Sequence, residues 1–136
     1  MSNTAESYEK LKRIGVKELK KIHQVCIQYG KTFDRGIRDV ATLDMIAGKI
    51  QSYAAKESPI VSISAYVIHD IVKNHPFWDG NHRTAFETAR LMLIMFGYRL
   101  DVTVKEAEEF MRKIDSKNLS QNDIEKWIKE NLKELR

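Results

Sequence analysis

The sequence contains one cysteine, Cys26, and no long run of apolar residues. A single thiol cannot form a disulfide within the chain, and it suits a reducing compartment such as the cytosol. The longest apolar segment, Leu91–Phe96, is far too short to cross a bilayer. The N-terminal residues are polar and give no sign of a signal peptide. We therefore expect a cytoplasmic protein with no membrane partner and with Cys26 as a small buried side chain.

The sequence also lacks repeats, low-complexity tracts and linker-like stretches. Its 136 residues, of which 43% are apolar and 31% charged, suffice for one domain with a buried core. We predict a single domain over residues 1–136, with residues 1–14 as a flexible or loosely packed arm. The net charge of +4 comes with lysines concentrated early in the chain. Nucleic-acid binding is nevertheless disfavoured, because acidic residues are scattered through the rest of the chain.

Apolar residues recur at helical spacing in six segments. These segments begin near Val16, Asp39, Ile60, Asn81, Thr103 and Ser120. Asp39, Thr103 and Ser120 are residue types that cap helix N-termini. The last segment is expected to remain helical through Leu132 and Leu135, and the short stretch Tyr98–Val102 could be extended.

The segment Ala85–Phe96 is apolar around most of a helix circumference, and Gly97 can end such a helix in a left-handed conformation. A helix of this kind must be covered by others on several sides. The fold class is therefore predicted to be all-α, a compact bundle of about six helices around a buried central helix. At most a small flap or hairpin is expected beside it.

The loop before this helix, HPFWDGNHR from His75 to Arg83, gathers the groups that phosphate transfer uses. The carboxylate of Asp79 can hold Mg²⁺ together with nucleotide oxygens. Gly80 lets the backbone approach a ligand closely, and Asn81 offers an amide donor where the helix begins. Arg83 can direct two hydrogen bonds at a phosphate.

His75 completes this set, because imidazole exchanges protons near neutral pH and can accept the proton of a hydroxyl. Without its neighbours, His75 would be an ordinary cap residue and Asp79-Gly80 an ordinary turn. The presence of five such residue types within nine positions favours the functional interpretation.

The loop resembles the signature of the Fic/Doc family (filamentation induced by cAMP, death on curing), commonly H-x-F-x-[D/E]-[G/A]-N-[G/K]-R. The helix before it, the apolar helix after it and a Tyr29-Gly30 loop also look similar to Doc, so the resemblance covers most of residues 16–130. The resemblance implies an all-α, toxin-like transferase that uses ATP and Mg²⁺. The acceptor would be a Ser, Thr or Tyr hydroxyl of a target protein, with a translation factor as one candidate.

Each family role implied by the resemblance falls on a matching position of the loop. His75 would be the catalytic base and Asp79 the metal ligand. Nucleotide binding would fall to Gly80, Asn81, His82 and Arg83. Phe77 would anchor the loop in the core, and the segment before Pro59 would correspond to the flap that holds the target peptide.

Two positions depart from the AMP-transferring members of the family. His82 stands where those proteins usually have Gly, and Phe86 stands where they usually have a second Arg. Doc-like members have Lys at the first of these positions and lack that Arg, and they transfer the terminal phosphate. The pattern therefore favours phosphoryl transfer, with AMP transfer or a degenerate module that only binds a nucleotide or a partner as alternatives.

Rival interpretations rest on other residues. His69-Asp70, with His23 and Asp101, could form the metal site of an HD-type phosphohydrolase. Arg90 could assist phosphate binding, although a structural ion pair is the favoured role. The inhibitory helix motif of self-restrained Fic proteins is not matched in full near the N-terminus, so a separate antitoxin-like inhibitor is expected.

Overall fold

The computed structural model describes residues 4–29 and 36–135, which form seven α-helices and two short strands. In chain order these are α1 (Thr4–Leu11), α2 (Val16–Tyr29), α3 (Val40–Ala55), α4 (Ile60–Asn74), α5 (Asn81–Met95), β1 (Tyr98–Leu100), α6 (Val104–Ser116), α7 (Gln121–Asn131) and β2 (Leu132–Glu134). The predicted all-α fold is confirmed. The Tyr29-Gly30 loop that resembles Doc lies largely outside the described residues. Among the described helices, none combines the length and the apolar character that crossing a membrane requires.

Helices α4 and α5 form the centre of the bundle. Helix α4 packs against α3, α5, α6 and α7, and α5 packs against α2, α4, α6 and β1. All residues from Ile63 to Ile68 in α4 are buried, so this helix is enclosed around its circumference. Helix α5 buries Ala85 and Ala89 completely, whereas its Leu91 and Ile94 reach solvent. The apolar pattern of α5 is therefore wider than the face that it buries.

The three predicted N-caps are confirmed. A side-chain oxygen of Asp39, Thr103 or Ser120 accepts a hydrogen bond from the backbone N–H three residues later. Gly97 has φ +85° immediately after the cap of α5, as the sequence predicts. These caps satisfy backbone groups that the helices themselves cannot pair. They also fix where α6 begins, which matters because α6 faces the loop before α5.

The prediction of a loose N-terminal arm is wrong for residues 4–14. The Tyr8 ring packs edge-on against Phe96, with ring centroids 4.8 Å apart, and its hydroxyl donates to the Ser58 carbonyl at 2.6 Å. Leu11 is fully buried and Ile14 nearly so. Tyr8 and Leu11 are three residues apart and thus share one face of α1, a spacing that the polar composition of this segment obscured.

The C-terminal segment also differs from its prediction. Helix α7 ends at Asn131, and β2 pairs antiparallel with β1, with Leu132 opposite Leu100 and Glu134 opposite Tyr98. The prediction that Leu132 and Leu135 continue the helix is wrong, while the extended segment after Gly97 is confirmed for Tyr98–Leu100. The backbone of Leu132–Glu134 finds its partners in β1, and this long-range pairing cannot be read from local periodicity.

Candidate active site

Residues 75–83, called here the motif loop, connect the end of α4 to the start of α5. His75 caps α4 in a left-handed conformation with φ +48° and ψ +62°. Gly80 caps the start of α5 with φ +74°, and a Cβ there would lie 3.0 Å from Ile27 Cδ1. Both the left-handed backbone and this close approach favour glycine at position 80. The loop therefore turns sharply at both ends and presents its middle residues beside the α5 N-terminus.

The underside of the loop is a packed and hydrogen-bonded layer, called here the floor, formed by His23, Phe77 and Asn81. Phe77 is fully buried and its ring stacks on that of His23, with centroids 3.8 Å apart and planes 2° apart. His23 Nε2 lies 3.0 Å from the Asp79 carbonyl oxygen. The implied role of Phe77 as a core anchor agrees with this burial. His23 was considered only as a metal ligand in the sequence, and its position beneath the loop was missed.

The side chain of Asn81 is hydrogen-bonded to the backbone of the motif loop. Its Oδ1 accepts the Phe77 N–H at 3.0 Å and its Nδ2 donates to the Phe77 carbonyl at 2.9 Å. The side chain is buried and both ends of its amide are engaged with the loop backbone. The amide that was expected to bind phosphate therefore holds the loop backbone in this structure. The Asn81 backbone N–H, in the first turn of α5, is a further potential phosphate donor.

A second segment, residues 36–39, lies directly against the motif loop. Ile37 and Phe77 form an antiparallel bridge, in which the Trp78 N–H donates to the Gly36 carbonyl at 3.2 Å. The Arg38 guanidinium donates from Nε to the His75 carbonyl and from Nη2 to the Asn74 carbonyl, each at 2.6 Å. Arg38 thus supplies partners for carbonyls at the end of α4.

The segment before Pro59, which the resemblance implies as the flap, has its own contacts in the structure. The turn before Pro59 lies beside α1, where the Ser58 carbonyl accepts the Tyr8 hydroxyl, and it does not line the cleft described below. Residues 36–39, at the other end of α3, instead pair with the backbone of the motif loop.

A cleft of about 540 Å³ opens between the motif loop, the first turns of α5 and one face of α6. Its size is that of a small-molecule site. Its lining is Cys26, His75, Trp78, Asp79, Gly80, Asn81, His82, Arg83, Phe86, Glu87, Val104, Ala107, Glu108, Met111 and Arg112. The structure thus brings every site residue predicted from the sequence to one cleft. The α6 wall, with Glu108 and Arg112 one turn apart, was missed, although their spacing places them on one helix face.

Asp79 carries a buried carboxylate oxygen, Oδ1, that has no hydrogen-bond partner among the described residues. A buried carboxylate oxygen in this state is unfavourable unless a cation or a donor reaches it. Asp79 lies immediately before Gly80 at the start of α5, where unpaired N–H groups favour anions. The carboxylate and the helix end therefore suit a cation and a phosphate placed side by side.

His75 and His82 face a carboxylate of α6 across the cleft. His82 Nε2 lies 2.8 Å from Asp115 Oδ2, and His75 Nε2 lies 4.0 Å from the same oxygen. All three side chains are partly exposed. Asp115 was missed by the sequence analysis, although Glu108, Arg112 and Asp115 share a helix face at i, i+4 and i+7 spacing.

Two residues have the structural roles favoured by the sequence. Cys26 is 5% exposed, and burial raises the pKa of its thiol, so the buried side chain expected there is confirmed. Arg90 forms an ion pair with Glu87 through Nη2 at 2.8 Å. Neither residue therefore presents a free reactive group to the cleft.

The HD-type metal site is not assembled. His69 Nδ1 lies 3.1 Å from Asp70 Oδ1, whereas His23 lies beneath the motif loop and Asp101 pairs with Arg99. Among the described residues, the one group of three potential metal-binding side chains is His75, His82 and Asp115. The geometry thus removes the basis for a phosphohydrolase of this type.

Comparison with protein families gives a match to one family model, described as the Fic/DOC family, over residues 13–93. This range contains the floor and the whole motif loop, and it ends within α5. The α6 wall, including Asp115, lies beyond it. A comparison with curated proteins finds no match.

Proposed function

The chain belongs to the Fic/DOC family, and on that premise we propose that it transfers the terminal phosphate of ATP to a hydroxyl side chain of a target protein. Members of this family are generally transferases that use ATP and Mg²⁺ to modify proteins. The observation that carries the proposal is Asp79 Oδ1 at the start of α5, in a cleft of nucleotide size. This atom is buried and has no hydrogen-bond partner within residues 4–29 and 36–135.

Asp79 fits Mg²⁺ because a hard cation prefers oxygen ligands and accepts one carboxylate together with nucleotide phosphates. A cation at Oδ1 would satisfy an atom that finds no hydrogen-bond partner in the described part of the chain. When bound, Mg²⁺ supplies charge neutralisation to the phosphates of the nucleotide. The chain itself contributes the position of the Asp79 carboxylate, which its carbonyl contact with His23 helps to fix.

The phosphates are expected to lie at the N-terminus of α5. The backbone N–H groups of Asn81 and His82 are in the first turn, where they have no intrahelical acceptor. Gly80 adopts the left-handed turn that starts the helix, and a side chain there would press on Ile27 beneath the loop. Arg83 is exposed at the cleft, and the structure gives it no ion pair among the described residues, so its guanidinium is available for a phosphate.

His75 is the proposed general base. It would take the proton of the acceptor hydroxyl as the hydroxyl oxygen forms its bond to the γ-phosphorus. The bond from that phosphorus to the bridging oxygen breaks, and its electron pair leaves with ADP. The left-handed cap conformation of His75 and the contacts of Arg38 hold the backbone that carries this imidazole.

Two side chains support terminal-phosphate transfer over AMP transfer. The His82 ring lines the cleft in the first turn of α5, where AMP-transferring relatives usually have Gly. Phe86, one turn later, offers no charge to a further phosphate. A nucleotide that avoids the His82 ring would present its terminal phosphate, and not its α-phosphate, to His75.

The acceptor is proposed to approach along residues 36–38. In the bridge between Ile37 and Phe77, the N–H and C=O groups of Ile37 itself point away from the motif loop. An extended target segment could pair with them and bring a Ser, Thr or Tyr hydroxyl to His75. A cytoplasmic target such as a translation factor, and restraint by an antitoxin-like partner, are part of the same proposal.

The reaction is tested with ATP labelled separately at the α and γ phosphates, incubated with cell extract. We expect label in protein from γ-labelled ATP only. Label from α-labelled ATP would overturn phosphoryl transfer in favour of AMP transfer. Magnesium-dependent ATP binding without label from either nucleotide would identify a binding module.

The ligand roles are tested by titration calorimetry with ATP and Mg²⁺. Asp79→Ala and Arg83→Ala should weaken binding, whereas the matched exposed variants Asp44→Ala and Arg13→Ala should bind as the parent does. If all four variants bind equally well, the nucleotide lies outside this cleft and the proposed site is wrong.

A further inference from the structure

Three side chains from three different helices converge beside the cleft, two of which, His75 and His82, line it. His75 ends α4, His82 lies in the first turn of α5, and Asp115 lies in the last turn of α6. Their potential ligand atoms all lie within 4.8 Å of one another. The Asp115 oxygen stands between the two imidazoles, 2.8 Å from one and 4.0 Å from the other.

These distances are close to those of a coordination shell. Zinc-like ions bind histidine nitrogen at about 2.0–2.1 Å and carboxylate oxygen at about 2.0–2.2 Å, so tetrahedral ligand atoms lie about 3.4 Å apart. One observed separation is shorter than this value and one is longer. All three side chains are more than one-third exposed, so side-chain rotations can place them around an ion without moving the helices.

The helices that carry the three ligands are held firmly. Arg38 binds the carbonyl of His75, and a reciprocal capping box fixes the start of α6. The pairing of β1 with β2 joins the chain just before α6 to the chain just after α7. A site whose ligands come from fixed elements loses little conformational entropy when it binds an ion.

We propose that His75, His82 and Asp115 form a binding site for a divalent transition-metal ion of the Zn²⁺ class. Two imidazoles and one carboxylate are the donor set of zinc, copper and nickel sites, whereas Mg²⁺ prefers oxygen ligands alone. The site is thus distinct from Asp79, whose lone carboxylate suits the hard ion.

An ion here would regulate the transferase. This consequence rests on the proposed function, in which His75 Nε2 accepts the hydroxyl proton. A nitrogen that donates its lone pair to a metal cannot also accept that proton, so zinc occupancy would stop transfer. Removing the ion would restore it, because no covalent bond of the protein changes.

Metal binding is tested by titrating the full chain, free of any histidine tag, with zinc chloride in millimolar Mg²⁺. Calorimetry should show one ion per chain, and Co²⁺ should give the visible absorption of a low-coordinate histidine site. His82→Ala and Asp115→Asn should each weaken zinc binding by about tenfold or more. His69→Ala, which removes the histidine beside Asp70, should bind zinc as the parent does.

Equal zinc binding by the parent, His82→Ala and Asp115→Asn would overturn the site, as would an absence of binding by the parent. The regulatory consequence is read from γ-label transfer with and without zinc, expressed as a ratio for each variant. Zinc binding that leaves the parent's transfer unchanged would overturn regulation and keep the site. A parent that transfers no label in either condition contradicts the proposed function, while the binding titration still decides the metal site.

Discussion

The two sides of the motif loop differ in burial and in how many of their polar atoms have hydrogen-bond partners within the protein. On the floor, His23, Phe77 and Asn81 are buried, and their polar atoms meet partners inside the protein. On the opposite side, called here the rim, His75 and Arg83 are exposed, and Asp79 has a buried oxygen that no described residue contacts by a hydrogen bond. Residues only two to four positions apart in sequence thus belong to different environments.

This difference separates residues that stabilise the loop from residues that are available for ligand binding and catalysis. Groups whose hydrogen bonds are complete stabilise one loop conformation, but they have nothing left with which to bind a ligand. Groups on the rim are held in place by the floor and keep their donors, acceptors or charge available. We therefore expect substitutions on the floor to lower stability and substitutions on the rim to lower activity, each with little effect on the other quantity.

His75→Ala should give the largest effect on the rim. Loss of a positioned base lowers the rate by about 10²–10⁴-fold. The side chain is half-exposed, so the free energy of unfolding should change by less than about 0.5 kcal/mol. Transfer of γ-label and urea denaturation measure the two quantities. Full activity in this variant would remove His75 from catalysis, and His69→Ala serves as the control that should change neither.

Phe77→Ala should give the largest effect on the floor. Truncation of a fully buried Phe typically costs about 3–5 kcal/mol, and here it also removes the ring on which His23 stacks. The midpoint of urea denaturation should fall accordingly. A milder change, Phe77→Leu, should retain part of the stability. If Phe77→Ala unfolds at the parent's midpoint, the floor does not support the loop.

Asn81→Ala tests whether this residue belongs to the floor or to the rim. It leaves the Phe77 N–H and C=O without side-chain partners, and a buried unsatisfied group costs about 1–3 kcal/mol. Asn122→Ala, an exposed asparagine of α7, should change stability by less than about 0.5 kcal/mol. Weaker nucleotide binding by Asn81→Ala at unchanged stability would instead place its amide on the phosphate.

Thr103→Ala should give the smallest effect and extends the comparison to the α6 wall. The loss of an N-cap typically costs about 1 kcal/mol, and α6 would fray at its first turn near Val104 and Ala107. We expect a small fall in the thermal midpoint together with weaker ATP binding. Thr103→Ser, which keeps the hydroxyl, should behave as the parent in both measurements.

Much of the fold was predictable because its signals are local. Helical periodicity and residue types such as Asp39, Thr103 and Ser120 identified most elements and three caps. The predictions for the N-terminal arm and for the end of α7 were wrong, because contacts between residues distant in sequence determine the structure of these segments. Tyr8 is ordered by Phe96 and Ser58, and Leu132 joins a strand because β1 is its partner. Such partners are distant in sequence, so no local pattern contains them.

Most residues of the candidate site were also predictable, because they lie together in one short segment of the sequence. The motif loop is contiguous, so its residues could be read together. The role of Asn81 could not be read, because an amide that binds phosphate and one that binds backbone look alike in a sequence. Asp115 is 40 residues from His75, and the packing of α6 against α4 and α5 brings them together.

Arg38 and its neighbours connect residues 36–39 to the motif loop, so the two segments are expected to unfold together. Its side chain binds two carbonyls at the end of α4, its backbone N–H and that of Asp39 donate to Pro76, and Trp78 donates to Gly36. These bonds join one junction, so residues 36–39 and the motif loop must separate as one local unfolding unit. The amides of Arg38, Asp39 and Trp78 should then exchange their hydrogens with a common opening free energy, below that of the α4 interior.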